Sequence, residues 1–110
     1  MNSTKTEHCW ESFLKFYSEQ NKGRKTRLGV FEREGGVVTD YWIEDGLELV
    51  GLDIDPDGEL PAVEVLLDGY SHLISGVRSL NVHFAHQAED DGLDIADEHG
   101  KTTILRFEKA

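Results

Sequence analysis

A run of acidic residues in the middle of the chain has the spacing of a calcium-binding loop. Three aspartates at alternate positions are followed by a glycine and then by a glutamate at position 12 of the loop: Asp53, Asp55, Asp57, Gly58 and Glu64. In an EF-hand, such carboxylates bind the cation between two helices. Here the flanking residues alternate like strands, and Pro61 lies where the second helix would begin. We therefore interpret the segment as a polar hairpin turn, with calcium binding as an alternative, and expect no metal and no cofactor.

Other residues of metal-binding or nucleophilic type are isolated along the chain. His83 and His86, with Glu89 and Asp90 nearby, are types that bind zinc or nickel. On a continuous strand, however, positions 83 and 86 point to opposite faces. Cys9 is the only cysteine, so no disulfide forms within the chain. Little positive charge surrounds it, and we expect a buried small hydrophobe rather than a nucleophile.

The sequence contains no residue pattern typical of an enzyme. It has no glycine-rich phosphate loop, no Gly-x-Ser-x-Gly elbow and no His-Glu-x-x-His helix. Most carboxylates fall at turns or at the polar positions of strands, where they stay solvated and ionised. We therefore expect a protein that is not an enzyme.

Charge is distributed unevenly along the chain, whose net charge is −11. Residues 34–98 contain seventeen acidic side chains and one basic side chain, Arg78, whereas both ends carry an excess of Lys and Arg. Phosphate contacts require Lys and Arg, so we expect no direct nucleic acid binding by the acidic part. A solvated surface explains this charge. The alternative is an acidic decoy that imitates a phosphate array and inhibits a nucleic-acid-binding protein.

Length and composition are those of one small globular domain spanning residues 1–110. The chain is 38% hydrophobic and 30% charged, which is too apolar for a disordered protein. No apolar run approaches the ~20 residues that cross a bilayer, and the first ten residues do not resemble a signal peptide. We expect a cytoplasmic location and no membrane association.

The first predicted element is an amphipathic helix. Thr4 and Glu7 have the spacing of a capping box, and Thr6 is an alternative N-cap. The residues that follow at helical spacing predict one aromatic face against the core: Trp10, Phe13, Leu14 and Tyr17. Asn21, Lys22 and Gly23 predict the end of the helix.

After residue 24 the hydrophobic period changes to that of strands. Turns are predicted at Gly35-Gly36, Asp45-Gly46, 55–58 and His99-Gly100, and a bulge near Gly51. The segment 68–78 is predicted to be an ordered connection in which Tyr70, Leu73 and Ile74 are anchors and His72 is a polar anchor, and 87–92 an acidic loop. The predicted strands are 24–34, 37–44, 47–54, 63–67, 80–84, 93–98 and 102–107.

Several of these segments together resemble a bacterial family of similar length that is known only as a domain of unknown function. The resemblance is carried by the Trp10 helix, the closing hairpin, and the runs LELVGLDIDP from Leu47, VEVLLDGYSHLI from Val63 and LNVH from Leu80. Where that family tends to place proline after His-Leu-Ile, this chain has Ser75-Gly76. The resemblance implies the same fold and a bacterial source, and no activity.

The sequence therefore predicts an α+β fold with one N-terminal helix packed on a twisted, mainly antiparallel sheet of six or seven strands. For function it favours an interaction or accessory module that binds a protein partner or forms a weak homodimer. The acidic decoy and the calcium-binding protein are the alternatives.

Overall fold

A computed structural model describes residues 3–34, 36–84 and 90–108 of the chain. Within them lie one helix and seven strands, which confirms the predicted α+β class. They are α1 (Ser3–Asn21), β1 (Lys25–Glu34), β2 (Val37–Asp55), β3 (Ala62–Leu67), β4 (Tyr70–Ile74), β5 (Val77–His83), β6 (Gly92–Asp97) and β7 (Lys101–Phe107).

The seven strands form one antiparallel sheet with the order β4-β3-β2-β1-β7-β6-β5. β4 and β5 are separated by only two residues in sequence, yet they lie at opposite ends of this order. The backbone N–H of Val77, at the beginning of β5, donates to the C=O of Pro61 over 2.9 Å. The two ends of the sheet therefore approach each other, and the sheet is curled into a half-barrel.

The concave face of the half-barrel contains the core. Helix α1 lies on this face through its predicted stripe: Leu14 is buried, and Trp10, Phe13 and Tyr17 pack against the core residues. The sheet contributes alternate residues of its strands, as the period of two requires: Leu28, Leu49, Leu52, Val63, Val65, Leu67, Ile74, Val77, Leu93, Ile95, Leu105 and Phe107.

Helix α1 also covers part of an edge of β2. Beyond Glu48, β2 has no pairing with β1. There the N–H of Leu52 donates to Ser18 Oγ over 2.8 Å, and the Ser18 hydroxyl donates to the C=O of Leu14 over 2.7 Å. The N–H of Gly23 donates to the C=O of Leu49 over 2.8 Å. The second half of the helix, together with Gly23 just after it, therefore satisfies backbone groups that a neighbouring strand would otherwise pair.

Arg24 links the end of the helix to the far side of the sheet. Its guanidinium donates two hydrogen bonds to the Asp91 carboxylate, at 2.9 and 3.0 Å, and one to Asn21 Oδ1 at 2.9 Å. It also stacks over the Phe107 ring at 4.5 Å. The hydrogen bonds from Arg24 lower the pKa of Asp91. Burial raises the pKa of neighbouring Tyr17 to about 12, so its hydroxyl is protonated at neutral pH.

The predicted turn at Asp45-Gly46 is wrong, because β2 is continuous from Val37 to Asp55. Thr26 pairs with Leu47 and Arg27 with Asp45, so Gly46 is an extra residue in the ladder. Its φ of 97° is in the left-handed region, which a glycine in a β-bulge adopts without strain. The bulge predicted near Gly51 is confirmed by the register shift between Leu49 and Gly51.

The predicted connection 68–78 is also wrong, because it contains β4. Only five residues long, β4 has an outward-facing leucine, Leu73, which hides the alternation of a half-buried strand. His72 therefore lies on a strand rather than in a loop, and its ring stacks on Tyr70 with centroids 6.5 Å apart. Burial lowers the pKa of His72, and the charge of Lys101 adds to the effect.

Smaller differences concern the helix and the end of β5. Cys9 is exposed, against the expectation of burial, because it lies beside the aromatic stripe and not within it. The helix begins at Ser3, so Thr4 and Thr6 lie inside it rather than at its N-cap. Phe84 follows the last residue of β5 and is 78% exposed. Residues 87–89 of the predicted acidic loop 87–92 lie outside the described residues, and Gly92 already belongs to β6.

The Arg24–Asp91 pair predicts how stability depends on pH. Because the pKa of Asp91 is lowered in the folded state, its contribution is present above the ordinary aspartate pKa of about 3.9 and is lost as pH falls through the folded value. Both side chains are about one-third exposed, so we expect Asp91→Asn to cost only ~1 kcal/mol at neutral pH. Urea unfolding from neutral pH down to about pH 3 should show this difference shrinking.

The control is Asp57→Asn, which removes one negative charge at an exposed turn position. It should leave the free energy of unfolding within ~0.5 kcal/mol of the original. An Asp91→Asn cost that stays undiminished from neutral pH down to about pH 3 would show that the carboxylate charge is not what stabilises the helix end.

Candidate interaction surface

The first six residues of β2, residues 37–42, form a free edge of the sheet, here called the β2 edge. β2 pairs with β1 along residues 37–48 and with β3 only along residues 49–55. No described strand pairs with the β3 side of residues 37–48. All six residues of the β2 edge are exposed, so a second chain can reach them.

The register of the hairpin determines which backbone groups face outward. Glu34 pairs with Val37 across a two-residue connection. In such a hairpin the pair next to the connection exchanges both hydrogen bonds, and bonded and non-bonded pairs then alternate. The N–H and C=O groups of Val38, Asp40 and Trp42 therefore point away from β1, as those of an unpaired edge do.

Four of the six side chains of the β2 edge are large and apolar. Their exposed fractions are 64% for Val37, 49% for Val38, 50% for Tyr41 and 47% for Trp42. Val38 and Trp42 share the convex outer face of the sheet, since they pair with Arg33 and Gly29, while Tyr41 lies opposite Val30 on the inner side. Single exposed apolar residues are ordinary, but a contiguous group of this kind is typical of a binding site.

Trp42 is held in one position by residues of β1. The ring lies across Gly29, where a Cβ atom would approach Trp42 Cε3 to 2.6 Å. The Arg27 guanidinium stacks 4.1 Å from the ring centroid, and its Nε lies 3.6 Å from Asp45 Oδ2. The indole ring is therefore packed against both Gly29 and Arg27.

A shallow depression lies beside Trp42 and is continuous with the β2 edge. Its volume is about 110 Å³, and its lining is mainly apolar: Gly29, Val30, Phe31, Asp40, Tyr41, Trp42 and Ile104. Sites for small molecules and cofactors usually enclose ≈ 300–1,000 Å³. The depression therefore fits a single side chain of a partner rather than a cofactor.

A larger groove lies between α1 and β2. It has a volume of about 300 Å³ and is lined largely by charged or polar side chains: Glu11, Leu14, Lys15, Ser18, Glu19, Gly51, Leu52, Asp53 and Ile54.

The four carboxylates of the possible calcium loop lie in a strand–turn–strand hairpin. β2 ends at Asp55 and β3 begins at Ala62, which confirms the expectation of strands rather than helices on both sides. Asp53 pairs with Glu64 across the two strands, and the N–H of Asp57 donates to Asp55 Oδ1 over 3.1 Å. Among residues 3–34, 36–84 and 90–108, no group of three or more acidic, His or Cys side chains is placed to hold a metal ion.

The possible transition-metal site at the two histidines falls largely outside the described residues. His83 is the last residue of β5, whereas His86 and Glu89 lie outside the described residues. The described residues contain no helix that is both long and apolar enough to cross a membrane.

Comparison of the chain with models of known protein families, with curated proteins and with solved structures finds no match. The resemblance to a bacterial domain of unknown function therefore stays a prediction. The function must be argued from the geometry of the chain itself.

Sequence reasoning predicted a strand over residues 37–44 but not the exposed surface that it forms. Two pairs of adjacent apolar residues, at 37–38 and 41–42, place apolar side chains on both faces of the strand. Such a pattern is typical of a strand buried on both faces. The remaining signal was Gly29, whose place opposite Trp42 follows only from the register of the hairpin.

The absence of helices around the aspartate-rich turn predicts weak calcium binding. In calorimetric titration at moderate salt we expect no saturable site tighter than about millimolar, because the hairpin cannot supply EF-hand geometry. A site of ~10 μM or tighter that is lost in Glu64→Gln would contradict this.

The close contact between Gly29 and Trp42 predicts that a methyl group is not tolerated at position 29. Gly29→Ala should lower the free energy of unfolding by ~1–3 kcal/mol, because the indole ring must move. Gly51→Ala is the matched control, since a Cβ there meets no atom within 4 Å. Equal chemical denaturation midpoints for the two variants would show that the ring is not held against Gly29.

Proposed function

We propose that this chain is a non-catalytic interaction module whose β2 edge binds a protein partner. The observation that carries the proposal is the run of six exposed residues, four of them large and apolar, on a strand whose outer side has no described partner strand. Strand addition at such an edge supplies affinity through backbone hydrogen bonds and specificity through alternate side chains.

The absence of the usual edge protection supports this proposal. Proteins commonly protect edge strands with lysine, proline or a covering loop. The β2 edge contains no lysine or proline, and its residues are exposed. The bulges at Ile43 and Gly46 lie beyond the end of the edge, so residues 37–42 remain a regular strand. This edge is available for binding.

The distribution of acidic groups favours this function over the acidic decoy. Several carboxylates are engaged within the chain at separate places: Asp91 binds Arg24, and Asp94 binds Arg106 at 2.8 Å. Asp97 accepts hydrogen bonds from the N–H groups of His99 and Lys101, at 2.8 and 3.0 Å. A phosphate imitation needs free carboxylates on one continuous surface, and these groups serve the fold instead.

Selection from a displayed library of random peptides tests the proposal without assuming the sequence of the partner. We expect the immobilised chain to select peptides that bind it, and their affinity to fall by about tenfold or more in Trp42→Ser, the loss expected when an interface aromatic is removed. Isothermal titration of each selected peptide gives the affinity.

Phe16→Ser is the matched control, because Phe16 is an exposed aromatic on a different element, α1, with 61% of it exposed against 47% of Trp42. Its affinity for the selected peptides should be unchanged, and both variants should keep their cooperative thermal unfolding. Selection of no peptide, or of peptides whose binding depends on Phe16 and not on Trp42, would contradict the proposal.

A further inference from the structure

We infer that the partner of the β2 edge is an extended strand with cationic side chains at alternate positions. This inference rests on the proposed function and specifies the chemistry of the ligand. The structure provides an unpaired backbone, an adjacent apolar depression and a strongly one-sided charge, and each of these restricts the partner in a different way.

Charge restricts the partner most strongly. β2 contains six carboxylates and no lysine or arginine. Asp40 lies within the β2 edge and is exposed, and Glu44 and Asp45 lie four and five residues further along the strand. A strand added here therefore runs beside negative charge along much of its length. Opposite charges across neighbouring strands stabilise the pairing, and like charges destabilise it.

The positive charges of β1 make the electrostatic potential different at the two ends of the β2 edge. Arg33 pairs with Val38, at the hairpin end of the β2 edge. Arg27 lies at the other end, but it is stacked on Trp42 and lies beside Asp45, so its charge is offset there. The cationic side chains of the partner therefore fit on the outer face near Asp40, and its apolar side chains fit on the inner side near Tyr41.

The geometry of strand addition sets the spacing of these side chains. Alternate residues of an added strand point to the outer face, where Asp40 and Trp42 lie two positions apart beside the depression of about 110 Å³. A cation beside Asp40 on the outer face and an apolar group beside Tyr41 on the inner side thus require a regular extended conformation. A helical ligand would leave the outward backbone groups of Val38, Asp40 and Trp42 unpaired.

A second copy of the chain is a poorer ligand for the same edge. It would bring its own Asp40, Glu44 and Asp45 to the contact, and each copy carries a net charge of −11. Self-repulsion of this kind keeps proteins apart at moderate ionic strength. The negative charge that repels a second copy attracts a cationic strand.

Three blocked peptides of about nine residues, the length of a long strand, test the inference. The first alternates lysine with valine, the second has glutamate in place of lysine, and the third is the first with alternate backbone nitrogens methylated. Binding to the isotopically labelled chain is followed by the NMR shifts of its backbone amides. We expect the lysine peptide to bind with its largest shifts at Val38, Asp40 and Trp42.

The glutamate peptide should bind at least about tenfold more weakly, because several exposed charge contacts each contribute up to about 1 kcal/mol. The methylated peptide should not bind at the edge, since it lacks the donors for strand pairing. Asp40→Asn should weaken the lysine peptide by about threefold to fivefold, whereas Asp57→Asn, the same charge change at a distant turn, should leave its affinity unchanged.

Each result that contradicts the inference shows whether the cationic ligand or the interaction module is wrong. Equal binding of the lysine and glutamate peptides at the β2 edge would overturn the cationic ligand and leave the interaction module intact. Amide shifts that the lysine peptide causes mainly at Asp53 and Glu64 would show unspecific attraction and would also overturn the cationic ligand. Equal losses of affinity in Asp40→Asn and Asp57→Asn would do the same. Failure of all three peptides at the edge overturns the cationic strand, and the Trp42-dependent library selection then decides separately whether the module stands.

Discussion

The change of pairing partner along β2 is the constraint on which the rest of the structure depends. Pairing with β1 ends at Glu48, and pairing with β3 begins at Leu49, so each half of this 19-residue strand has a neighbour on one side only. The second half is completed by α1, whose Ser18 accepts from the N–H of Leu52. The first half has no such cover among the described residues. The β2 edge is thus a consequence of the same strand exchange that curls the sheet and positions the helix over its core.

Arginine stacking is used in the same way inside the fold and at its surface. Arg24 stacks on Phe107 while it binds Asp91, and Arg27 stacks on Trp42 beside Asp45. A planar guanidinium can cover an aromatic face and pair with a carboxylate at its edge simultaneously. At Phe107 this arrangement holds the helix to the sheet. At Trp42 it orders an exposed ring and so lowers the entropy cost of any contact that the ring makes.

Local patterns predicted the elements well where one face is buried and one is solvated. The stripe from Trp10 to Tyr17 and the alternation of Val63, Val65 and Leu67 follow directly from burial on the concave face. Prediction failed where the pairing of distant residues determines the structure. In the sequence Gly46 looks like a turn residue, and only the pairing of its neighbours Asp45 and Leu47 with Arg27 and Thr26 shows that it is an extra residue in a strand. The outward-facing Leu73 hides the alternation of β4. The β2 edge could not be predicted for the same reason, since adjacent apolar residues look alike in a buried strand and in an exposed one.

The acidic composition and the open edge have complementary physical effects. An exposed apolar strand edge is a risk for aggregation through self-pairing, and a lysine or proline would be the common protection. Negative charge at and beside the edge, together with a net charge of −11, opposes contact with a second copy while leaving the backbone accessible. Carboxylates at the edge repel acidic strands and attract cationic ones, and lysines at the edge would do the opposite. In the proposed interaction, the carboxylates that disfavour self-association are therefore the same groups that select a cationic strand, so specificity and solubility have one physical origin.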